Sequence, residues 1–246
     1  MSYSITPGDD PPIVLIAALG FPGSSWRPVI ELLRTGSAVL TYDRPGIGDT
    51  PQRPDPKQPV PYSVLAEELD ALLDEAAVAA PVVLVGHSIG SNVARVFAGR
   101  HPGRVAGLVH VDGSIPRLDL WEGVQPVIDS AGDDGSEIDL IAGEVEVLTA
   151  AVPRVPAVVL ARTPGWWIGP LPHPSIDELW TVYQRMLAVE RDAPLLVAQD
   201  SGHLMPRDAP ALVAYAIDAV TRAVRAGTRP EIDPAELTAV GGRLAD

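Results

Sequence analysis

The chain has 246 residues, no cysteine and a formal net charge of −14. That length fits one α/β domain, which buries roughly 70–75% of its unfolded surface and needs no metal or disulfide staple. The acidic balance argues against nucleic acid and anionic membranes as partners, and the lack of cysteine favours a reducing, cytoplasmic setting.

Residues Met1 to Pro12 lack the basic start and apolar centre of a targeting segment. The apolar run Ile13–Leu19 is far shorter than a membrane span and predicts a buried strand. It leads into Gly20-Phe21-Pro22-Gly23-Ser24-Ser25-Trp26, a loop at the end of a strand, where open α/β sheets bind ligands. Ser25 is expected to cap a short helix reaching about Arg34. Ala38–Tyr42 predicts the next strand, followed by Asp43-Arg44-Pro45-Gly46-Ile47-Gly48-Asp49-Thr50. Pro51 to Pro61 reads as an exposed connector. Ser63 is expected to cap a helix with Leu65, Leu69, Leu72 and Leu73 on one face.

The central stretch is Val82-Val83-Leu84-Val85-Gly86-His87-Ser88-Ile89-Gly90. Four apolar residues predict a buried strand, and Ile89, Val93, Val96 and Phe97 have the spacing of a helix. Between them lies a G-x-S-x-G match. A strand that turns sharply into a helix at a serine is a nucleophile elbow, and its glycines let strand and helix close on the strained serine.

His101-Pro102-Gly103-Arg104 stops that helix, and Val105–Asp112 predicts a strand that ends on a carboxylate. About 116 to 152 is a mixed segment holding Trp121 and an acidic loop. Val155–Ala161 is the next strand, followed by Arg162-Thr163-Pro164-Gly165-Trp166-Trp167. Ser175 to about Glu190 predicts a helix with Trp180, Tyr183 and Leu187 on its apolar face. Ala193–Ala198 is the last strand, then comes Ser201-Gly202-His203, a closing helix over Arg207 to Arg225, and a weak extra element past Thr228.

From about Ile13 to Arg225 these pieces resemble the α/β-hydrolase fold superfamily, in its serine hydrolase or esterase-like branch. The resemblance implies an α/β architecture: a doubly wound, mostly parallel sheet in a single domain, with a short cap at about 116–152. About a dozen residues precede the first central strand, so the antiparallel leading strands are expected to be short or missing. Leu19 stands where many members have a histidine before the glycine, which leaves the loop to a different brace. Asp43-Arg44-Pro45-Gly46-Ile47-Gly48-Asp49-Thr50 resembles a loop-shaping segment, so Asp43 is expected to be structural.

The fold's chain order of serine, acid, histidine assigns Ser88 as nucleophile and His203 as base. His87, His101, His110 and His173 are poorer candidates; His87 is expected to point away from the nucleophile. Most members carry the acid after the strand here written Val155–Ala161, but no carboxylate follows until Asp177. Others carry it one strand earlier, which selects Asp112, with Asp177 next and Asp139 third. The plain alternative for Asp112 is a strand-end residue that caps its own turn. The backbone N–H groups of Phe21 and Ile89 are the expected oxyanion donors. Trp121, Trp166, Trp167 and Trp180 are candidates to line the pocket. The implied activity is cleavage of an ester, thioester or lactone through an acyl-enzyme. It needs no cofactor or metal, and its partner is a small acyl substrate. A ligand receptor on the same fold, or an acyl transferase, are the alternatives.

Overall fold

The computed structural model describes residues 1–116, 127–129, 135–165 and 174–245. Its strands are β1 (Tyr3–Thr6), β2 (Asp9–Ile16), β3 (Ser37–Tyr42), β4 (Val82–His87), β5 (Val105–Val111), β6 (Val127–Asp129), β7 (Ser136–Ile138), β8 (Ala157–Ala161), β9 (Leu195–Ala198) and β10 (Gly242–Leu244). The α-helices are α1 (Arg27–Ile30), α2 (Tyr62–Glu75), α3 (Ile89–Arg100), α4 (Leu140–Thr149), α5 (Pro174–Arg191), α6 (Met205–Asp208), α7 (Pro210–Ala226) and α8 (Pro234–Ala239).

Eight strands form one sheet in the order β1-β3-β2-β4-β5-β8-β9-β10. The six inner strands run parallel, and β1 and β10 pair antiparallel at the two edges. Parallel strands covered on both faces have no polar side, which is why the inner strands read as unbroken apolar runs. Side chains still alternate between the faces. Val14, Ile16 and Leu84 pack with Leu65 and Leu69 of α2, Val93 and Phe97 of α3 and Val147 of α4. Ile13, Leu15, Val83, Val85 and Val109 pack on the other face, with Leu212, Val213 and Ile217 of α7. A truncation such as Leu15→Ala in either layer costs about 2–5 kcal/mol.

Several boundaries differ from the sequence expectations. The first central strand starts at Asp9, not Ile13, and its register on β3 shifts between Asp9 and Ile13. Pro11 and Pro12 fall in that gap and have no N–H to give to the ladder. Ser25 caps nothing: it lies inside a 3₁₀ turn, Gly23–Trp26, which leads straight into the single turn of α1. Ser63 lies inside α2, whose N-cap is Pro61, and its N–H and hydroxyl bind the Glu146 carboxylate of α4 at 2.8 and 2.5 Å. The closing helix is divided into α6 and α7, with Pro210 starting the second. The tail past Thr228 forms α8 and then β10, which extends the sheet. The one leading antiparallel strand, β1, has four residues. Within the 116–152 segment, β6 and β7 form an antiparallel ribbon ahead of α4. Among the described residues no helix is long and apolar enough to cross a membrane.

Candidate active site

The register of the parallel strands brings the chemistry to one edge. Gly86 pairs with His110 and His87 with Val111, so Ser88 and Asp112 follow the ends of adjacent strands. Arg162 follows β8, and His203 lies five residues past β9. Ser88 adopts φ 56° and ψ −122°, a conformation that costs a non-glycine residue about 1–3 kcal/mol. Its N–H is tied to the Val111 carbonyl at 3.1 Å. The elbow glycines are required by space. A Cβ on Gly86 would sit 2.3 Å from the Gly90 carbonyl oxygen, and one on Gly90 would sit 2.4 Å from the Ile16 carbonyl oxygen. Ile89 opens α3, so its N–H lies in the first turn and has no partner within the helix. The helix dipole adds positive potential at that point.

His203 Nδ1 lies 2.6 Å from Asp112 Oδ2. A carboxylate only accepts, so Nδ1 carries a proton, and in the neutral ring Nε2 then has the lone pair. Asp112 is fully buried at φ 44°. Its Oδ2 also accepts from Arg162 Nη1 at 3.1 Å, and its Oδ1 accepts from Trp180 Nε1 at 2.9 Å and from the Arg162 N–H at 3.2 Å. Burial alone would raise the Asp112 pKa, but the His203 hydrogen bond and the charges of His203 and Arg162 hold it below the usual carboxylate value. Asp177 lies elsewhere. Its carboxylate accepts from Arg162 Nη2 at 2.8 Å and from the Gly165 N–H at 2.6 Å. Asp139 caps α4 by accepting from the Ala142 N–H at 2.9 Å. The structure therefore brings Ser88, Asp112 and His203 to one place, and gives Asp177 and Asp139 other partners.

Among the described residues the Ser88 hydroxyl has one hydrogen-bond partner, the Ser114 hydroxyl at 3.2 Å. Ser114 carried no functional signal in the sequence, Arg162 only stood where a carboxylate was sought, and Trp180 was expected at the pocket wall and not on the Asp112 carboxylate. His87 does not point away from the site as expected. Its Nε2 donates to the His203 carbonyl at 2.7 Å and its ring lies 5.0 Å from the His203 ring. Burial, then the neighbouring His203, lower the His87 pKa to about 3, so this ring is neutral. His110 pairs its Nδ1 with the Ser91 hydroxyl at 2.8 Å, and burial lowers it to about 3 as well. His101 lies against Glu67 and Asp70 at the surface.

On the oxyanion side, Gly20 sits at φ 72° and the Phe21 N–H closes a turn onto the Ala18 carbonyl at 3.1 Å. A left-handed third residue is what a type II turn demands, so the glycine after Leu19 has a local reason. Asp43 is structural: its Oδ1 accepts from the Gly23 N–H at 2.7 Å. A cavity of about 340 Å³ lies against Phe21, His87 and Leu204. A larger one of about 720 Å³ is walled by Ile115, Pro116, Leu148, Leu179, Val182 and Met186. Trp180 is core, 7% exposed, and serves Asp112. Trp121, Trp166, Trp167 and His173 lie outside the described residues.

A family profile described as the alpha/beta hydrolase fold matches residues 11–130. The pimeloyl-[acyl-carrier protein] methyl ester esterase of Aeromonas hydrophila is 32% identical over 123 residues, 49% of this chain and 46% of that protein. The putative carbamate hydrolase RutD of Escherichia coli O157:H7 is 35% identical over 119 residues, 46% of this chain and 42% of that protein. The chain thus spans less than half the length of these relatives. A solved structure of a putative lipase from Acinetobacter baumannii superposes with a TM-score of 0.65 at 21% identity, covering 92% of this chain and 89% of that one. The sheet order, the strained elbow at Ser88 and these matches agree: the chain has the α/β-hydrolase fold.

Proposed function

We propose that the protein is a serine hydrolase that cleaves an ester, thioester or lactone through an acyl-enzyme. The observation that carries this reading is the 2.6 Å bond between His203 Nδ1 and Asp112, at the strand edge where Ser88 holds its strained elbow. With Nδ1 protonated, the His203 Nε2 lone pair takes the Ser88 proton as Oγ attacks the acyl carbon. Asp112 keeps the ring in that tautomer and stabilises the imidazolium. The Ile89 N–H meets the developing oxyanion, and the Phe21 N–H joins it on leaving the Ala18 carbonyl. His203 then returns the proton to the leaving group. Water, activated by the same histidine, releases the acid.

In the resting arrangement Ser88 donates to or accepts from Ser114, and attack requires that hydroxyl to turn to His203. Hydrogen bonds of this kind commonly tighten only with substrate bound. The apolar walls of the larger cavity, which begins at Ile115 next to Ser114, favour an apolar acyl group. The relatives' names, an esterase and a carbamate hydrolase, support acyl chemistry of this class.

A fluorophosphonate probe tests the reading. It is expected to label the wild-type protein at Ser88 and to leave a folded Ser88→Ala variant unlabelled. A folded wild-type protein that takes up no probe refutes the acyl-enzyme and favours a receptor on the same fold.

A further inference from the structure

We propose that Arg44 and Asp129 form a positioning device for the oxyanion loop, joining it to the cap ribbon; this rests on the serine hydrolase reading. Arg44 follows β3, and Asp129 ends β6 in the cap segment. Their side chains are 3% and 2% exposed and paired through Nε–Oδ2 at 2.5 Å and Nη2–Oδ1 at 2.9 Å. A buried ion pair is weak support for stability, because desolvation offsets most of the attraction. This one makes bonds that an apolar pair could not. Arg44 Nη1 donates to the Ala17 carbonyl at 2.8 Å and Nη2 to the Ala18 carbonyl at 2.6 Å. Asp129 Oδ1 accepts from the Gly20 N–H at 2.7 Å.

Those three contacts fall on three consecutive peptide units, Ala17–Ala18, Ala18–Leu19 and Leu19–Gly20. The next unit, Gly20–Phe21, carries the Phe21 N–H. The pair therefore fixes the three planes that lead up to the oxyanion donor. Leu19 has no polar side chain with which to do so. The Ala18 carbonyl is shared between Arg44 and the Phe21 N–H, so the arginine also holds the acceptor that the donor leaves. The cap ribbon reaches this loop only if Asp129 is seated, which makes a well-formed oxyanion hole depend on a seated cap. Arg44 and Asp129 touch no reacting atom and act through the backbone they hold.

The test compares Asp129→Ala, Asp129→Asn and Arg44→Lys with the wild-type full chain. Three readouts are amide hydrogen exchange over residues 17–23, kcat and KM on a short p-nitrophenyl ester, and the inhibition constant of a trifluoromethyl ketone, whose adduct needs the oxyanion hole. Asp129→Ala is expected to speed exchange at Gly20 and Phe21 by about tenfold. It should lower kcat by about 10²-fold with KM within about threefold, and weaken the ketone by the same factor as kcat. Asp129→Asn keeps an acceptor for the Gly20 N–H and should recover part of each. If Asp129→Ala does not fold, the other two variants carry the same comparison. Unchanged exchange over 17–23 in folded variants overturns the positioning role, whatever the activity. Faster exchange with unchanged kcat and ketone affinity overturns its catalytic part. A wild-type protein that neither turns over nor binds the ketone refutes the serine hydrolase reading instead, and faster exchange then supports the loop attachment alone.

Discussion

Asp112→Asn is the most informative single change, because both carboxylate oxygens of Asp112 face donors. Oδ1 meets Trp180 Nε1 and the Arg162 N–H; Oδ2 meets His203 Nδ1 and Arg162 Nη1. An asparagine has one acceptor oxygen, so either orientation sets an NH₂ against two donors. Only the His203 contact can adapt, by moving its proton to Nε2, and that is the wrong tautomer for a base. The sequence alone leads one to expect a variant with an intact fold. The structure adds a second loss: a fully buried carboxylate with four donors, whose removal also strips Arg162 of a carboxylate partner. We expect a destabilisation of about 3–5 kcal/mol. On the folded fraction, kcat is expected to fall by up to about 10⁴-fold, or about 5.5 kcal/mol in the barrier. Urea unfolding gives the first number; turnover of a short p-nitrophenyl ester, normalised to folded protein, gives the second. Asp177→Asn is the control and should cost less than about tenfold. A variant at Asp112 with the wild-type urea midpoint and kcat within about tenfold refutes the reasoning, as does an Asp177 variant that loses as much.

Stability should also fall on mild acidification. His87 and His110 are held neutral with pKa values of about 3, against 6.5 when unfolded. Below pH 6.5 the unfolded chain binds protons that the native one refuses, so stability is full above that value and declines toward pH 3. Each histidine contributes about 1.4 kcal/mol per pH unit, or about 4 kcal/mol for the two at pH 5. Urea midpoints at pH 7 and pH 5 measure this; His110→Gln should remove about half the difference, and a flat profile would contradict the burial argument. Gly90→Ala should cost about 3 kcal/mol or more, or prevent folding, since the new Cβ meets the Ile16 carbonyl at 2.4 Å and backbone cannot step aside. A Gly90→Ala protein with an unchanged melting temperature would mean that the elbow is looser than described.

What could be read in the sequence was local. The elbow was legible because an apolar strand, a G-x-S-x-G turn and a helical spacing follow one another within the sixteen residues Val82–Phe97. Chain order pointed to His203, and the lack of a carboxylate after β8 pointed to Asp112; the structure sets these two side chains 2.6 Å apart. The groups around them were not legible, because their contacts span long stretches of chain. Arg162 reaches Asp112 across 50 residues, Trp180 across 68, and Arg44 reaches Asp129 across 85. Serine at a helix start was misleading: at both Ser25 and Ser63 a proline turn already sets the entry, and no side-chain cap forms. β10 escaped notice because three residues, Gly-Arg-Leu, carry no alternation to detect.

The arginine after β8 has a consequence for electroneutrality. Asp112, Arg162 and Asp177 are joined in one chain of contacts, carboxylate to guanidinium to carboxylate, and His203 sits at one end of it. Counted with a neutral His203 ring, the four groups sum to one negative charge. In the proposed mechanism His203 takes the serine proton, and the sum becomes zero as the oxyanion forms across the site. Without Asp177 the same step would leave a buried surplus of positive charge, since Arg162 already cancels Asp112. Asp177, in the first turn of α5, never touches the histidine. It completes a neutral quartet whose members come from four segments of the chain, so the helix that carries it meets the proton transfer twice, through this charge and through the Trp180 Nε1–Asp112 hydrogen bond.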